Sequence, residues 1–245
     1  MVYHLAIYGD TMSIQYHKVT ATEAIVENLK ERIRSGEFGP GDQLPAEQKL
    51  LSQYHVSRLT LREELAILTA LGIVQVRHGK GAFVADSISV SALDDVLIPL
   101  FSHLDSHKMQ ELVEARNLIE SEIAAKVAET RTDEQLQLLE ELLGHDREVL
   151  DDPERFARRD YDFHLALVKM SGNDFYLAMY QALYRQIRAF LVRYAKSIDD
   201  RAAAMERHRP ILQAIADGDA ELARKLAREH AGICASFIKN NHRVV

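Results

Sequence analysis

The segment from Gly36 to Val84 constrains the fold of this chain of 245 residues more than any other part of it. Just before it, apolar residues at helical spacing predict a first helix from Thr22 to about Arg34. The glycines and the proline of residues 36–41 end that helix, because proline cannot continue a helix and glycine favours turns. A second helix is predicted from about Pro45 to Tyr54, with proline in its first turn.

A third helix follows after a short turn. His55-Val56 forms that turn, and Ser57 has the side chain of a natural N-cap. Beyond the third helix, alternating residues predict two short strands, at 74–76 and 82–84, with a cationic tip at 77–81 between them. Two helices around a tight turn, followed by a glycine-tipped hairpin, form a winged helix-turn-helix, which places one helix in the major groove of DNA.

The third helix has two different faces. Leucines are predicted to form its buried stripe: Leu61, Leu65 and Leu68. The opposite side of its first turns carries Arg58, Leu59 and Arg62. Recognition helices read bases from their N-terminal turns, and arginine can donate two hydrogen bonds to guanine or to phosphate. The alternative is an ordinary helical hairpin with solvated arginines, but the complete ordered set of elements favours DNA binding.

The same segment resembles the GntR family of bacterial transcription regulators. Its motif elements are Gly-x-x-x-Pro-Gly-Asp-x-Leu-Pro-x-Glu at 36–47, Val-Ser-Arg-x-Thr-x-Arg-Glu-x-Leu at 56–65 and a wing of the form Gly-x-Gly-x-Phe-Val at 79–84. The resemblance implies that the DNA-contacting positions are Arg58, Thr60, Arg62, His78 and Gly79. Gln48 departs from the pattern of FadR-like members, which often carry arginine there, so one contact is missing or Lys49 supplies it. Leu59 is also unusual at a groove-facing position, where it touches a thymine methyl group or nothing.

Composition and charge bound the rest of the prediction. A chain of 245 residues is longer than a typical domain, so two domains are expected. The net charge is −7, and the acidic excess lies after residue 84, so the DNA-binding part must rely on local placement of its cations and on dimerisation. The lone Cys234 excludes an intrachain disulfide. Neither a membrane-spanning run nor a secretory leader at Met1–His17 is evident, so we expect a cytoplasmic protein without a membrane partner.

After residue 105 the pattern is helical to the end of the chain, beginning with a predicted helix from Met109 to Ala128. Thr132 with Gln135 forms a capping box, and Asp152 precedes a proline at the first helical position. Further helices are predicted from Asn173 to about Tyr194, from Ile198 to Ala216, and after Asp219 with the apolar residues Leu222, Leu226, Ile233 and Phe237. Six consecutive amphipathic helices imply an antiparallel bundle. The predicted fold is therefore mainly α, with a winged helix-turn-helix at 18–85, a linker at 86–105 and an all-helical domain at 106–241.

Polar residues on the inward faces of this bundle carry its chemistry. Asp160 and His164 lie four apart on one helix face, and His208 and His230 lie on the inward stripes of two other helices. An unpartnered polar group in an apolar core is costly, so these side chains need partners. Three imidazoles and one carboxylate suit a divalent transition metal such as zinc, nickel or manganese. Ordinary core histidines and a simple helix ion pair between Asp160 and His164 remain the alternatives.

The helical part resembles the FCD ligand-binding domain of the FadR-type GntR subfamily. The residues that carry this resemblance are Glu114-Ala115-Arg116 to Glu120, Asp160 to His164, Ser171-Gly172-Asn173, Arg207-His208 and Gly218-Asp219 through His230. In metal-binding members one aspartate and three histidines hold the ion, which implies that role for Asp160, His164, His208 and His230. The implied effector is a small carboxylate or hydroxy acid held by the metal and Arg116, with Asn173 lining the pocket. Two alternatives stay open, since Arg116 can pair with Glu120 and Asn173 can cap its helix.

These observations predict a metabolite-responsive DNA-binding regulator of transcription, a repressor rather than an enzyme. It would bind a pseudo-palindromic operator in double-stranded DNA as a homodimer, and an effector on the metal would change the spacing of the two recognition helices. One rival is a mononuclear metalloenzyme fused to a DNA-binding domain, in which the metal activates water. No further inward general base supports that rival. The other rival is a regulator with a purely structural metal.

Overall fold

The computed structural model describes residues 21–86, 92, 97, 105–144 and 146–240. The chain divides into two compact units, Met1–Ala92 and Leu93–Val245. The N-terminal extension and most of the predicted linker lie outside the described residues, so the domain boundaries predicted from the sequence stay predictions. Within the described residues, no helix combines the length and the apolar character needed to cross a membrane.

The first unit is a three-helix domain with a two-stranded wing. Its described elements are α1 (Ala21–Arg34), α2 (Glu47–Tyr54), α3 (Arg58–Ala70), β1 (Val74–Arg77) and β2 (Gly81–Val84). The strands pair antiparallel, with Val74 opposite Val84 and Arg77 opposite Gly81. Leucines of all three helices are buried in one core, and the strands cover it with the apolar side chains of Val74 and Val84. This arrangement confirms the predicted winged helix-turn-helix.

The second helix begins two residues later than the sequence predicted. Ala46 is extended, with φ −53° and ψ 147°, and α2 starts at Glu47. The reason is a contact with the wing, because the Leu44 amide donates to the Ala82 carbonyl (2.8 Å) and Gln43 pairs with Phe83. Pro45 therefore belongs to an extended segment that is tied to β2, and not to the first turn of the helix.

The second unit is all-helical in its described part, which confirms the predicted bundle. Its helices are α4 (Ser106–Thr130), α5 (Asp133–Leu142), α6 (Arg147–Leu150), α7 (Pro153–Met170), α8 (Asp174–Ala182), α9 (Tyr184–Ser197), α10 (Arg201–Glu206), α11 (Arg209–Asp217) and α12 (Ala220–Asn240). Helices α4 and α12 pack along each other most extensively, and α7 packs on α9 and α4. The predicted caps are present. Thr132 and Gln135 form the capping box, and Asp152 and Asp219 cap α7 and α12.

Three features of the bundle differ from the sequence prediction. The helix expected from Asn173 to Tyr194 is two helices, because Leu183 leaves helical geometry at φ −91° and ψ 4°. The helix expected from Ile198 to Ala216 is α10 and α11, broken at Arg207 and His208. Pro210 explains this break, since it has no N–H to donate and its ring clashes with the carbonyl one turn earlier. The short helix α6 was not predicted.

The buried face of α12 is only partly the predicted one, since Leu226 and Phe237 pack against the core and the other two predicted residues do not. Leu222 and Ile233 are exposed, whereas the alanines of this helix point into the core: Ala223, Ala227 and Ala231. Helix α4 contributes its own buried alanines, among them Ala124 and Ala128. Small side chains on both helices let the two backbones approach closely, which explains their extensive packing.

Candidate nucleic-acid interface and metal centre

The first turns of α3 present polar and apolar side chains to solvent, as predicted. Leu59 is 69% exposed, and the side chain of Arg62 is 67% exposed. Ser57 caps the helix by accepting from the Thr60 amide (3.1 Å), and the two hydroxyl oxygens lie 2.9 Å apart. Arg62 Nη2 lies 3.5 Å from a carboxylate oxygen of Glu47 on α2. The helix therefore has a fixed start and an outer face free to meet a groove.

At the wing, the Arg77 guanidinium packs against side chains of its own hairpin. The Arg77 guanidinium lies over the Phe83 ring, 4.5 Å from its centroid, and donates to Gln75 Oε1 at 3.1 and 3.2 Å. His78 and Gly79 are exposed at the tip, where Gly79 has a φ of +70° that suits glycine. Gln43, which sequence reasoning missed, donates to the Lys80 carbonyl (2.7 Å) and ties the tip to the loop before α2.

The second unit brings the four predicted metal ligands together. Asp160 and His164 lie one turn apart on α7, His208 lies at the start of α11, and His230 lies on α12. One ligand atom from each residue can be chosen so that all lie within 4.8 Å of one another. The Nε2 atoms of His164 and His208 are 3.2 Å apart, and Asp160 Oδ1 is 3.4 Å from His208 Nε2. Two atoms bound about 2.0–2.1 Å from one ion lie roughly 3.0–4.2 Å apart, so these separations suit a shared ion.

The hydrogen bond made by His208 shows why a cation fits between the rings. His208 Nδ1 lies 2.8 Å from the carbonyl oxygen of Met205, which can only accept, so the Nδ1 atom carries the proton. When this ring is neutral, its Nε2 atom has a lone pair, which faces the Nε2 atom of His164 at 3.2 Å. A proton or a metal ion between two such nitrogens turns a repulsive contact into an attractive one.

Unpartnered atoms in the same cluster support this fit. Among the described residues, Asp160 Oδ2, His164 Nδ1 and His230 Nδ1 are buried and have no hydrogen-bond partner. Burial of a polar atom without a partner costs about 1–3 kcal/mol, and more for a charged group. A cation bound to the Asp160 carboxylate would give that oxygen its missing partner.

Burial also sets the protonation of the ligands. It lowers the pKa of His164 and of His230 well below the usual value, and the charge of His208 adds to this effect. These two imidazoles are therefore neutral near pH 7, the form in which histidine binds metals. Burial raises the pKa of Asp160, while the charges of His208 and Arg116 act in the opposite direction. A metal ion would oppose the effect of burial and favour the charged carboxylate.

Arg116 lies beside this cluster and already has a partner. It is buried on α4, and its Nε atom donates to Glu120 Oε1 at 2.8 Å. The same oxygen accepts from the hydroxyl of Tyr180 on α8 at 2.8 Å. Glu120 Oε2 lies 3.4 Å from His164 Nδ1, a contact between complementary groups rather than a well-formed hydrogen bond. The ion pair considered from the sequence is thus present, and Tyr180 is a further residue that sequence reasoning missed.

Asn173, the other predicted effector residue, is an N-cap in the structure. Its Oδ1 atom accepts from the backbone amides of Phe175 (2.9 Å) and Tyr176 (3.2 Å) at the start of α8. The hydrogen bonds described for its side chain are those of the cap. A role in effector binding stays a prediction.

Both parts of the chain match known protein families. Residues 21–84 match the gntR family of bacterial regulatory proteins, and residues 111–232 match the FCD domain. The HTH-type transcriptional repressor NanR of Klebsiella aerogenes is 33% identical over 215 residues, which cover 85% of this chain and 82% of NanR. The chain belongs to the GntR family. This finding confirms the family predicted from the sequence.

Other members of the GntR family agree in sequence and in structure. NanR of Salmonella newport is 32% identical over 219 residues, covering 85% of this chain and 82% of its own. A solved GntR structure from Streptococcus agalactiae superposes with a TM-score of 0.63 at 28% identity, covering 88% of this chain and 99% of that one. As a GntR-family member with an FCD domain, the chain is a DNA-binding regulator of transcription and not an enzyme. The predicted metalloenzyme alternative is therefore set aside.

Proposed function

We propose that this GntR-family regulator is a repressor that senses a small carboxylate or hydroxy acid at a metal site in its FCD domain. The observation that carries the proposal is the convergence of Asp160 and three histidines, whose ligand atoms lie within 4.8 Å of one another. The repressor assignment follows the NanR relatives, which are named transcriptional repressors. Because its partner is operator DNA, the protein would act in the cytoplasm of a bacterium.

On the DNA side, the first turn of α3 would enter the major groove. Arg58, Thr60 and Arg62 would contact DNA from that turn, and His78 and Gly79 would approach the backbone or minor groove from the wing. Exposure of the outer face of α3 supports this assignment. We expect a homodimer on a pseudo-palindromic operator, because two symmetric half-sites would raise the affinity of a DNA-binding domain with few cations.

On the effector side, Asp160, His164, His208 and His230 would hold the ion, and Arg116 would receive the effector carboxylate. Nitrogen and carboxylate ligands of this kind suit zinc, nickel or manganese. When bound, the ion would supply a Lewis acid that an effector oxygen can coordinate. The guanidinium of Arg116 would add a planar donor pair that selects a carboxylate over a neutral group.

Regulation would follow from a population shift between two arrangements of the dimer. An effector changes that equilibrium only if it binds one arrangement more tightly than the other. The proposed ligands lie on α4, α7, α11 and α12, so effector binding would favour one packing of these helices. The linker predicted at 86–105 would pass that preference to the spacing of the two recognition helices.

A purely structural metal is the second candidate, and one observation favours it. Three of the four proposed ligand side chains are almost fully buried, with His208 at 0% exposure, and His230 is partly buried. A buried, closed site is typical of structural zinc, whereas a sensing site needs an open coordination position. The two proposals share the metal and differ in whether a carboxylate can reach it.

The test begins with metal content. His208→Ala and His230→Ala, purified without a His tag, should each lose bound metal. His107→Ala is the matched control, because His107 is exposed on α4 and pairs with Glu111. Full metal occupancy in a His208→Ala, His230→Ala double variant would contradict the proposed metal site.

A second experiment distinguishes a sensor from a structural metal site. It is a thermal-shift screen of small carboxylates on metal-loaded protein, followed by gel shifts with operator DNA. Release of operator DNA by wild type, lost in Arg116→Ala at a zinc concentration that saturates both proteins, identifies the sensor.

A further inference from the structure

Glu120 contacts three other side chains of this site: Arg116, Tyr180 and His164. It lies on α4, one turn after Arg116, and is 3% exposed. Its Oε1 atom accepts from Arg116 Nε and from the Tyr180 hydroxyl, both at 2.8 Å, while Oε2 faces His164 Nδ1 at 3.4 Å. One carboxylate thus joins groups from α4, α7 and α8.

We propose that Glu120 is a positioning residue that selects the metal-binding tautomer of His164, with Arg116 and Tyr180 holding the carboxylate in place. This inference rests on the proposed metal site. Glu120 is not a ligand itself, since its Oε2 atom faces the ring nitrogen of His164 opposite to the one that faces His208. Its role is to decide where the single proton of the neutral His164 ring resides.

The tautomer argument follows from the two ring nitrogens of His164. A neutral imidazole carries one N–H, and an ionised carboxylate can only accept a hydrogen bond. With Glu120 Oε2 beside Nδ1, the proton belongs on Nδ1 and the lone pair on Nε2. That Nε2 atom is the one 3.2 Å from His208 Nε2 and 4.0 Å from Asp160 Oδ2. Glu120 therefore has the same role toward His164 as the Met205 carbonyl has toward His208, since each places an acceptor beside the Nδ1 atom of the ring.

The partners of Glu120 explain why its carboxylate stays in place. Arg116 supplies the opposite charge, and the Tyr180 hydroxyl adds a second donor to the same oxygen. With Oε1 engaged by two donors, the side chain has little freedom to turn, and Oε2 is left toward His164. A carboxylate acceptor also increases the basicity of a metal-bound imidazole more than a carbonyl does.

Glu120→Gln separates this role from simple packing, because the amide has nearly the same shape. Arg116 and Tyr180 both donate to Oε1, so the amide oxygen should remain there and the NH2 group should face His164 Nδ1. The His164 ring must then move its proton to Nε2 and loses the lone pair needed by the metal. We expect the zinc affinity, measured by competition with a chelating dye at pH 7, to fall about 10–100-fold.

Two further variants sharpen the result. Glu122→Gln is the matched control, since Glu122 lies two residues further along α4 and pairs with Arg224 at the surface. The zinc affinity of this variant should equal that of wild type.

Tyr180→Phe removes one of the two donors that hold the Glu120 carboxylate and should lower the zinc affinity roughly threefold. If Glu120→Gln does not fold, Tyr180→Phe decides, and wild-type zinc affinity in that variant overturns the proposal. A folded Glu120→Gln protein with zinc affinity within about twofold of wild type also overturns it.

A readout without metal keeps this inference separate from the proposed function. In metal-free protein Glu120 and His208 compete for the His164 proton, since Nε2 faces His208 at 3.2 Å and Nδ1 faces Glu120 at 3.4 Å. Nitrogen NMR of histidine-labelled, metal-free protein should therefore show more of the Nδ1-protonated form of His164 in wild type than in Glu120→Gln. Equal populations in the two proteins contradict the role of Glu120, whatever the metal does. Conversely, wild-type protein that binds neither zinc, nickel nor manganese removes the metal site, while the tautomer result still stands for Glu120.

Discussion

At the scale of single residues, the costliest side chain of the site is Asp160. Its carboxylate is buried, and its Oδ2 atom has no hydrogen-bond partner among the described residues. Burial raises the pKa of this group, which expresses the same cost as a preference for the neutral form. A buried, unpartnered carboxylate lowers the stability of the metal-free protein. Its presence is explained by a function that needs a negative charge at this position.

Asp160→Asn should therefore affect the metal-free and zinc-loaded proteins in opposite directions. Without metal, the neutral amide should raise the free energy of unfolding by roughly 1 kcal/mol or more, because no charge is buried. With zinc, wild type should be the more stable protein, because the amide is a poor ligand. Thermal unfolding in chelator and in zinc measures both effects. Asp162→Asn, at a neighbouring position that pairs with Arg158, is the control. A variant less stable than wild type in chelator contradicts this account of Asp160.

Arg62 provides the residue-scale prediction for DNA binding. Arg62→Ala should weaken binding to a selected operator by about 1–3 kcal/mol if the side chain reads a base. Stability should hardly change, because the side chain is exposed and its ion pair with Glu47 is at 3.5 Å. Arg34→Ala, at an exposed arginine of α1, controls for the loss of one positive charge. Equal binding by the Arg62 variant and wild type would remove Arg62 from the readout.

At the scale of elements, helix starts with a clear side-chain cap were predictable from the sequence, and helix breaks were less so. A cap is a local signal, as in Thr132 and Gln135, whose side chains and backbone satisfy each other within three residues. The break before α11 also had a local signal in Pro210, which the spacing of apolar residues obscured. The break at Leu183 has neither glycine nor proline, so only the packing of the surrounding helices determines it.

The start of α3 gives a test of an element as a whole. Ser57→Ala removes the cap that accepts from the Thr60 amide and should destabilise the helix by about 1 kcal/mol. Hydrogen exchange of the first amides of α3 should accelerate, since fraying begins where the cap is lost. Ser52→Ala is the control, because its hydroxyl donates to the Gln48 carbonyl within a helix and caps nothing. Unchanged exchange in the Ser57 variant would show that packing alone fixes the start.

At the scale of the whole molecule, the convergence of Asp160 and three histidines could be predicted, whereas the contact of Glu120 with Tyr180 could not. Inward spacing on three predicted helices identified Asp160 and the histidines, because each position is decided within its own helix. The contact between Glu120 and Tyr180 joins residues 60 positions apart and appears only when α4 and α8 pack together. The same holds for Gln43 and the wing tip, which are brought together by the fold of the first unit.

The buried histidines predict how stability depends on pH in the metal-free protein. The pKa values of His164 and His230 are lowered in the folded state, from an ordinary value of 6.5. Their contribution is present above pH 6.5 and is lost as the pH falls below it, because the unfolded chain then binds more protons. Each group can contribute a slope of up to about 1.4 kcal/mol per pH unit. The raised pKa of Asp160 acts in the opposite direction, since its folded form takes up a proton more readily.

Chemical unfolding in chelator between pH 5 and 8 measures this slope. The variant His164→Gln, His230→Gln should show a shallower dependence over the same range, because the two lowered pKa values are gone. Zinc-loaded wild type should lose more stability than the metal-free protein as the pH falls, since protons then compete with the ion for its ligands. Identical slopes for wild type and the double variant in chelator would contradict the assignment of the pH effect to these rings.

The burial of the ligand side chains has a consequence for the life of the protein in a cell. An ion shared by Asp160 and His230 would join parts of the chain 70 positions apart (230 − 160), and three of its four proposed ligands, Asp160, His164 and His208, have side chains that are only 0–6% exposed. We expect such an ion to leave mainly when helices separate, so its exchange would be about as rare as the opening of the bundle. We therefore expect each copy of the protein to bind its metal once, as it folds, and then to respond to the effector many times. If metal became scarce later, older copies of the protein would still respond to effector and newly made copies would not. The fraction of responsive protein in a cell would then reflect the metal supply at the time the protein was made.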